Sequence, residues 1–349
     1  MEKDNNIQFM EFRSFLPEAI KVPDIVDRKS SRGYVLWGED NKMPQYLWST
    51  YLKCSDLQAL VNTTVDYMAG GQNEVTKPDN LLTDDDSFQD VIQKAVFDYI
   101  LFGGFALEGI RNAKGDIVRV NYINVMNVRT DEDLEMAYIS NSWDEWSAKK
   151  IIKLPLFDKN ELQPHFIFYY RGAITRNINP IPIWFAGLKS AQVLNETRTY
   201  NLRNIQNNFS ANVMVTLNGA ILKQNELQDI KDKLEMGYSG SENAGKTLVI
   251  NNANENGSVE VTRLDSDKSA DLYKNVQDSS IEDLYGSFRM NKVLCGKNIQ
   301  TGFSKVEFEN IYALYNATVI EPLRNNVTKE FAKLGVNIHF ENIQINWSE

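Results

Sequence analysis

Apolar positions along the chain fall first into helical and then into alternating stretches. Leu57, Leu60, Val61, Val65 and Met68 recur at three- and four-residue steps, which predicts a helix stopped by Gly70-Gly71. A second stripe, Phe88, Val91, Ile92, Ala95 and Tyr99, predicts a helix opened by Asp84-Asp85-Asp86-Ser87 and closed by Gly103-Gly104. Alternation takes over next. Phe105 to Ile110 and Ile117 to Asn121 flank Asn112-Ala113-Lys114-Gly115, a hairpin pattern, and His165 to Tyr170 reads as a strand. Asn179-Pro180-Ile181-Pro182 breaks the run, so residues 1–185 are expected to form one α+β unit. Its start is irregular and aromatic, with Leu36 to Pro44 a loop that ends at a proline-initiated helix.

The pattern changes after Gly187. Leu188, Ala191, Leu194, Leu202, Ile205 and Phe209 make a thin seam, interrupted by Arg198 and crowded by Asn and Gln. A helix of about 22 residues spans roughly 33 Å. So narrow a stripe on a polar rod calls for lateral neighbours more than for a monomer core. Residues 211–264 then read as a small α/β module, with strands at Val213–Val215, Thr247–Ile250 and Val259–Val261 and a helix from Glu226 to Met236. A second long helix is expected from about Ala270 to Val293, with Tyr273, Val276, Ile281, Leu284 and Phe288 inward. A compact module thus sits between two long helices that can run side by side in opposite directions. A polar loop from Cys295 to Phe303 follows. The last helix carries Phe308, Ile311, Tyr315, Val319, Leu323, Val327 and Phe331, with a kink at Pro322 and an end at Gly335. The tail from Ile338 alternates as an edge strand would.

Length and composition narrow the function classes. At 349 residues about two domains are expected, and 42% hydrophobic with 24% charged residues excludes wholesale disorder. Lys and Arg number 37 against 47 Asp and Glu, a net charge of −10. That argues against a protein gripping nucleic acid over its whole surface, but not against one that DNA slides past. Cys54 and Cys295 form no CxxC, which argues against a zinc ribbon or disulfide framework. No run of about 18 apolar residues predicts a membrane span, and the polar, acidic start is unlike a secretory signal. His165 and His339 are the two histidines, which removes most His-based catalysis and metal chemistry.

One motif needs weighing. Gly240-Ser241-Glu242-Asn243-Ala244-Gly245-Lys246-Thr247 fits GxxxxGK[ST] at every position. A working P-loop follows a strand and opens a helix. Here a helical stretch precedes the match and a strand-like one follows, so the expected reading is a solvated helix-to-strand turn. A nucleotide-binding enzyme built on Gly240–Thr247 stays as the alternative, beside a structural component of another kind. Asp84-Asp85-Asp86 is expected to cap a helix, Asp131-Glu132-Asp133 to be a solvated turn, and His165 to be structural. No catalytic, cofactor or metal site is expected.

The order of several local features resembles that of tailed-bacteriophage portal proteins of the shorter wing, stem, clip and stem type. The features are Trp37-Gly38-Glu39-Asp40-Asn41-Lys42-Met43-Pro44 followed by Cys54 to Asn62; Phe102-Gly103-Gly104-Phe105; Gly187-Leu188-Lys189-Ser190-Ala191 opening a helix that ends in Asn207-Asn208-Phe209; Asn243-Ala244-Gly245-Lys246 before a strand; and Gly302-Phe303-Ser304 with Tyr312 to Asn316 and Ile320-Glu321-Pro322-Leu323. The resemblance implies an α+β portal-type fold with a wing over 1–185, stem helices over 186–209 and 266–294, and a clip over 210–265. It also implies a tunnel loop and long kinked helix over 295–335, and a strand returning to the wing over 336–349. It further implies a non-enzymatic ring, of twelve copies by family habit, at one capsid vertex of the virion and in the host cytoplasm during assembly, with no membrane. Double-stranded DNA would pass through it. The terminase large subunit, a head–tail adaptor and the major capsid or scaffolding protein would be its partners. Lys297, Asn298 and Gln300 would face the channel, with Lys292 nearby, and Asn243 and Lys246 in the clip loop would meet terminase or connector.

Overall fold

The computed structural model describes residues 7–10, 24–25, 27–71, 73–85, 87–143, 151–172, 176–206, 212–218, 247–252, 259–264, 269–297 and 304–343. The chain divides into two compact units, Met1–Lys21 with Gln192–Ser280 and Val22–Ala191 with Ile281–Glu349. The division differs from an uninterrupted 1–185 unit. Strand β1 (Ile7–Met10) belongs to the smaller unit, because its backbone pairs with a strand some 240 residues downstream.

The larger unit begins with a short antiparallel pair, β2 (Asp27–Lys29) and β3 (Val35–Trp37). The loop after it has a physical reason for its composition. Gly38 and Asn41 both adopt positive φ (82° and 61°), and the Asn41 Oδ1 accepts from the Trp37 N–H at 3.0 Å. Pro44 then sits in the first turn of α1 (Met43–Lys53). Helix α2 (Ser55–Ala69) follows directly. After strand β4 (Glu74–Thr76), helix α3 (Phe88–Phe102) is capped by Ser87, whose hydroxyl accepts from the Asp90 N–H at 3.2 Å. The Asp84–Asp85 pair does different work from the expected cap. Asp84 takes Arg119 and Asn121, and Asp85 takes Lys94 and the Tyr122 N–H. At the other end Gly103 has φ 89°, and a Cβ there would lie 2.6 Å from the Pro182 nitrogen and nearer still to the Ile181 carbonyl. Gly103 is therefore dictated by the breaker segment passing over it, and Gly104 by the Tyr170 carbonyl and Pro180.

Strands β5 (Phe105–Arg111) and β6 (Ile117–Ile123) form the predicted hairpin. A second small sheet follows, made of β7 (Val128–Thr130), β8 (Met136–Ile139) and β9 (Ile152–Pro155) in that order. Asp131 to Asp133 lie in its first turn, where Asp131 Oδ1 accepts from the Glu135 and Met136 N–H groups. Strand β10 (His165–Tyr170) completes the first sheet in the order β10-β5-β6. Arg129 of β7 is wholly buried between the rings of Trp37 and Trp143, at 5.3 and 4.6 Å. Its guanidinium donates to Asn41 Oδ1 and to the carbonyls of Asn41, Met126 and Val128, and burial lowers it to about 9. It clasps the Gly38–Asn41 loop to the second sheet.

Helix α4 (Leu188–Gln206) starts with Leu188, Ala191 and Leu194 buried, whereas Leu202 is 55% exposed. In the smaller unit, β11 (Asn212–Asn218), β12 (Thr247–Asn252) and β13 (Val259–Leu264) join β1 in the order β1-β12-β11-β13. β12 runs parallel to β11 and antiparallel to β1. Thr247 therefore opens a strand, not the helix that a P-loop needs, which removes the nucleotide-binding alternative. Residues 226–236 and 240–246, with Asn243 and Lys246, lie outside the described residues.

Helix α5 (Ser269–Ser287) stops short of the predicted Leu294. Arg289 takes φ 52°, with its N–H on the Gly286 carbonyl at 3.0 Å and the Met290 N–H on the Tyr285 carbonyl at 3.1 Å. That pair of bonds is a Schellman ending with arginine in the place glycine usually holds. The final rod is one continuous helical run with an irregular turn before Pro322. Helix α6 (Lys305–Tyr315) passes through a π-helical turn, Asn316–Ile320, into α7 (Glu321–Ala332), with Pro322 in its first turn. The wide turn falls where the proline ring would strike the carbonyl four residues back. Strand β14 (Asn337–His339) closes the chain against β4. Arg324 holds this end in place by donating to the carbonyls of Tyr67 and Met68 at the end of α2 and to Glu341 and Asn342.

Candidate functional site

The polar loop between α5 and α6 is the segment whose two ends the structure fixes most elaborately. The upstream end is a 3-10 turn, Lys292–Cys295, started by Asn291, whose side chain accepts from the Val293 N–H at 3.0 Å. Gly296 (φ 70°) and Lys297 close it with N–H bonds to Val293 and Lys292 at 2.9 and 3.1 Å. Among the described residues nothing lies within 4 Å of where a Gly296 Cβ would be, so glycine serves the backbone angle there.

Helix α2 provides the bed for this turn. The Tyr67 hydroxyl donates to the Leu294 carbonyl at 3.0 Å, and the Cys295 sulfur lies 3.6 Å from the Thr63 hydroxyl and 3.1 Å from the Met290 sulfur. Tyr67 also meets Tyr312 and Tyr315 of the downstream helix at 5.3 and 6.1 Å between ring centres. Burial pushes the Tyr67 hydroxyl up to about 12 and raises the Cys295 thiol. Neither is a nucleophile at neutral pH.

Lys297 is nearly half exposed and is held by a buried partner. Its ammonium pairs with Asp56, whose side chain is only 2% exposed at the first turn of α2, and stands 5.8 Å from the Tyr285 ring centre. Lys292 pairs with Glu282 and lies over the same ring. The Lys292–Glu282 pair lies at the surface, whereas Lys297 serves a buried carboxylate. The reason is dielectric: a carboxylate as buried as Asp56 needs a counter-charge far more than a solvated lysine needs phosphate. Asn298 and Gln300 lie outside the described residues. The loop returns at Ser304, where a complete capping box forms: Ser304 Oγ accepts from the Glu307 N–H at 3.2 Å, and Glu307 accepts from the Ser304 N–H at 2.9 Å. Those bonds lower the Glu307 carboxyl below its usual range.

The other singled-out residues are not brought to this place. His165 meets Glu108 at 2.7 Å on the face of the first sheet, where Asn121 bridges Glu108 to Asp84. Cys54 is buried at the junction of α1 and α2, and His339 sits in β14. Among the described residues no group of three or more His, Cys, Asp or Glu is placed to hold a metal ion, and no helix is long and apolar enough to cross a membrane. Asp56 is the member of the site that the sequence does not announce. At the second position of a helix an aspartate reads as a partner of the helix dipole.

No family model matches the chain, and neither does any curated protein. Solved structures do. The neck of an empty GTA particle computed with C6 symmetry matches with a TM-score of 0.56 at 10% identity, over 84% of this chain and 83% of that one. The neck of a native GTA particle computed with C12 symmetry gives 0.53 at 10% identity, over 84% and 83%. An HK97 family phage portal protein from Corynebacterium diphtheriae gives 0.55 at 10% identity, over 84% and 95%. At such identity the likeness is one of fold, and the chain has the portal-type α+β fold.

Proposed function

We propose that this chain is the structural, non-enzymatic subunit of a portal ring at one vertex of a phage-type particle. The observation that carries the reading is the portal-type fold extending over 84% of the chain. In this reading the part of the larger unit up to residue 185 corresponds to the wing, α4 and α5 to the stem, β11 to β13 to the clip, α6 and α7 to the long helix behind the tunnel loop, and β14 to the strand returning to the wing. Twelve copies close the ring in this reading, a number compatible with similar necks computed with C6 and with C12 symmetry. Double-stranded DNA passes through during packaging and ejection. A net charge of −10 suits that passage, because phosphates then slide instead of sticking.

The loop between Lys297 and Ser304 is assigned to the channel, held at one end by Asp56 and at the other by the capping box. Lys297 acts as its anchor and, with Asn298 and Gln300, is assigned to phosphate contact. The clip loop with Asn243 and Lys246 is assigned to terminase and head–tail adaptor docking, and the major capsid or scaffolding protein is a further partner. The particle is the place of residence, reached from the host cytoplasm during assembly. Negative-stain images and native mass of the purified chain test the proposal. Rings of about twelve copies are expected; a monomer that persists at high concentration refutes it.

A further inference from the structure

Among the described residues nothing covers two apolar surfaces of the larger unit. On the first, Trp48 and Leu52 of α1 are 36% and 55% exposed. Trp48 stacks on Tyr51 at 5.3 Å, and Phe97 of α3 meets both rings edge-on. Beside this cluster runs a groove of about 350 Å³ that Asp66 and Asp90 help to line. Its lysine, Lys94, is taken by Asp85, and among the described residues no cation pairs with Asp66 or Asp90. Partial burial holds the Asp66 carboxyl above its usual range.

The second surface is the outer stripe of α6. Val306 and Leu314 are 63% and 67% exposed, with Asn310 and Ala313 exposed between them. The stripe starts beside Lys305, whose nearest carboxylate is Glu309 at 3.9 Å. The opposite side of α6 is satisfied, since Tyr312 and Tyr315 turn to Tyr67 of α2.

The two surfaces look away from each other. On α2, Thr63, Thr64 and Tyr67 meet the 3-10 turn and α6, whereas Asn62, Val65 and Asp66 line the groove shared with α3. At about 100° per residue those sets lie on opposite sides of the helix. A contact that closes by rotation needs two different patches on one subunit, not one self-complementary patch. We infer that α6 of one copy lies across the α1–α3 face of the next, with Val306 and Leu314 against Trp48 and Leu52 and Lys305 toward Asp66 and Asp90. The arrangement is a helix in an apolar, acid-edged groove, the partner being a second copy of this chain. The inference rests on the ring reading and names the surface that makes the ring.

The test compares the native chain with Trp48→Ser/Leu52→Ser and Val306→Ser/Leu314→Ser, whose side chains are exposed, so that circular dichroism should show an unchanged fold. Each pair is expected to raise the concentration for half-assembly at least tenfold by native mass spectrometry. Copies carrying Leu52→Cys, mixed with copies carrying Leu314→Cys, are expected to give an oxidised cross-linked dimer that neither gives alone. A native chain that never assembles overturns the ring reading and this surface with it. Native rings that both serine pairs form equally well overturn this surface and leave the ring reading standing. Loss of assembly without the mixed cross-link overturns the pairing of these two faces.

Discussion

A glycine-to-alanine series separates backbone conformation from close approach, because three glycines of the larger unit meet three different situations. Gly103 has φ 89°, and an added Cβ would lie within 2.6 Å of the Pro182 backbone nitrogen. Gly296 has φ 70° and Gly286 lies inside α5, and among the described residues nothing crowds a Cβ at either. Alanine in the left-handed region costs roughly 1–2 kcal/mol. Forcing a methyl against backbone that cannot rotate away adds roughly 1–3 kcal/mol. In a helix interior alanine is better than glycine by roughly 0.8–1.0 kcal/mol, less near the end. Gly103→Ala is therefore expected to lose roughly 2–5 kcal/mol, Gly296→Ala to lose roughly 1–2, and Gly286→Ala to gain up to about 1. At roughly 2–4 °C per kcal/mol for a unit of this size, thermal melting of dilute protein resolves the order. Equal losses for Gly103→Ala and Gly296→Ala would refute the clash with the Ile181–Pro182 backbone. A loss for Gly286→Ala would refute the uncrowded setting in α5.

Burial raises Asp98 to about 7, against hydrogen bonds from the Val125 N–H at 3.1 Å and the Tyr122 hydroxyl at 2.9 Å. A folded value above the unfolded one means stability fully present below about pH 4 and lost as pH rises through 7. Asp98→Asn, which can still accept both bonds, is expected to flatten the fall in urea-melt stability between pH 5 and pH 8; equal slopes in the two proteins would count against it. Lys297→Met leaves Asp56 buried without its cation and is expected to cost roughly 1–3 kcal/mol, the lysine being nearly half exposed. Adding Asp56→Asn should restore most of that in a double-mutant cycle, and purely additive losses would dissolve the anchor. Arg324→Ala removes four hydrogen bonds between α7, the end of α2 and the last described residues. Amide exchange at Glu341 and Asn342 is expected to accelerate at least tenfold, and unchanged protection would rule the clasp out.

The parts of this fold that sequence makes legible are those with local causes. Helices α2 and α3 carry full apolar stripes between polar openings and glycine stops, and the β5–β6 hairpin is set by Asn112 to Gly115. The end of α5 is not legible, because arginine at position 289 occupies a conformation that normally advertises itself with glycine or asparagine. The short strands β7 to β9 are too brief for alternation to register, and β1 becomes a strand only through β12. The loop anchor was half legible. Lys297 stands out in a polar loop, but its partner is 241 residues away in sequence. A lysine read in isolation looks available for phosphate; a dry carboxylate within reach gives it an internal partner as well.

The π-helical turn at Asn316–Ile320 amounts to one residue added to an otherwise regular rod. Upstream of it Tyr315 points at Tyr67, and downstream Phe331 stacks near Phe105 of the first sheet, 5.6 Å between ring centres. An unbroken α-helix would bring those two rings around with a phase error of about 100°. The extra residue is thus a gear offset that lets one rod mesh with a helix at one end and a sheet at the other. Excising a single residue there would turn every downstream knob away from its socket, whereas a substitution in the same stretch would leave the timing intact.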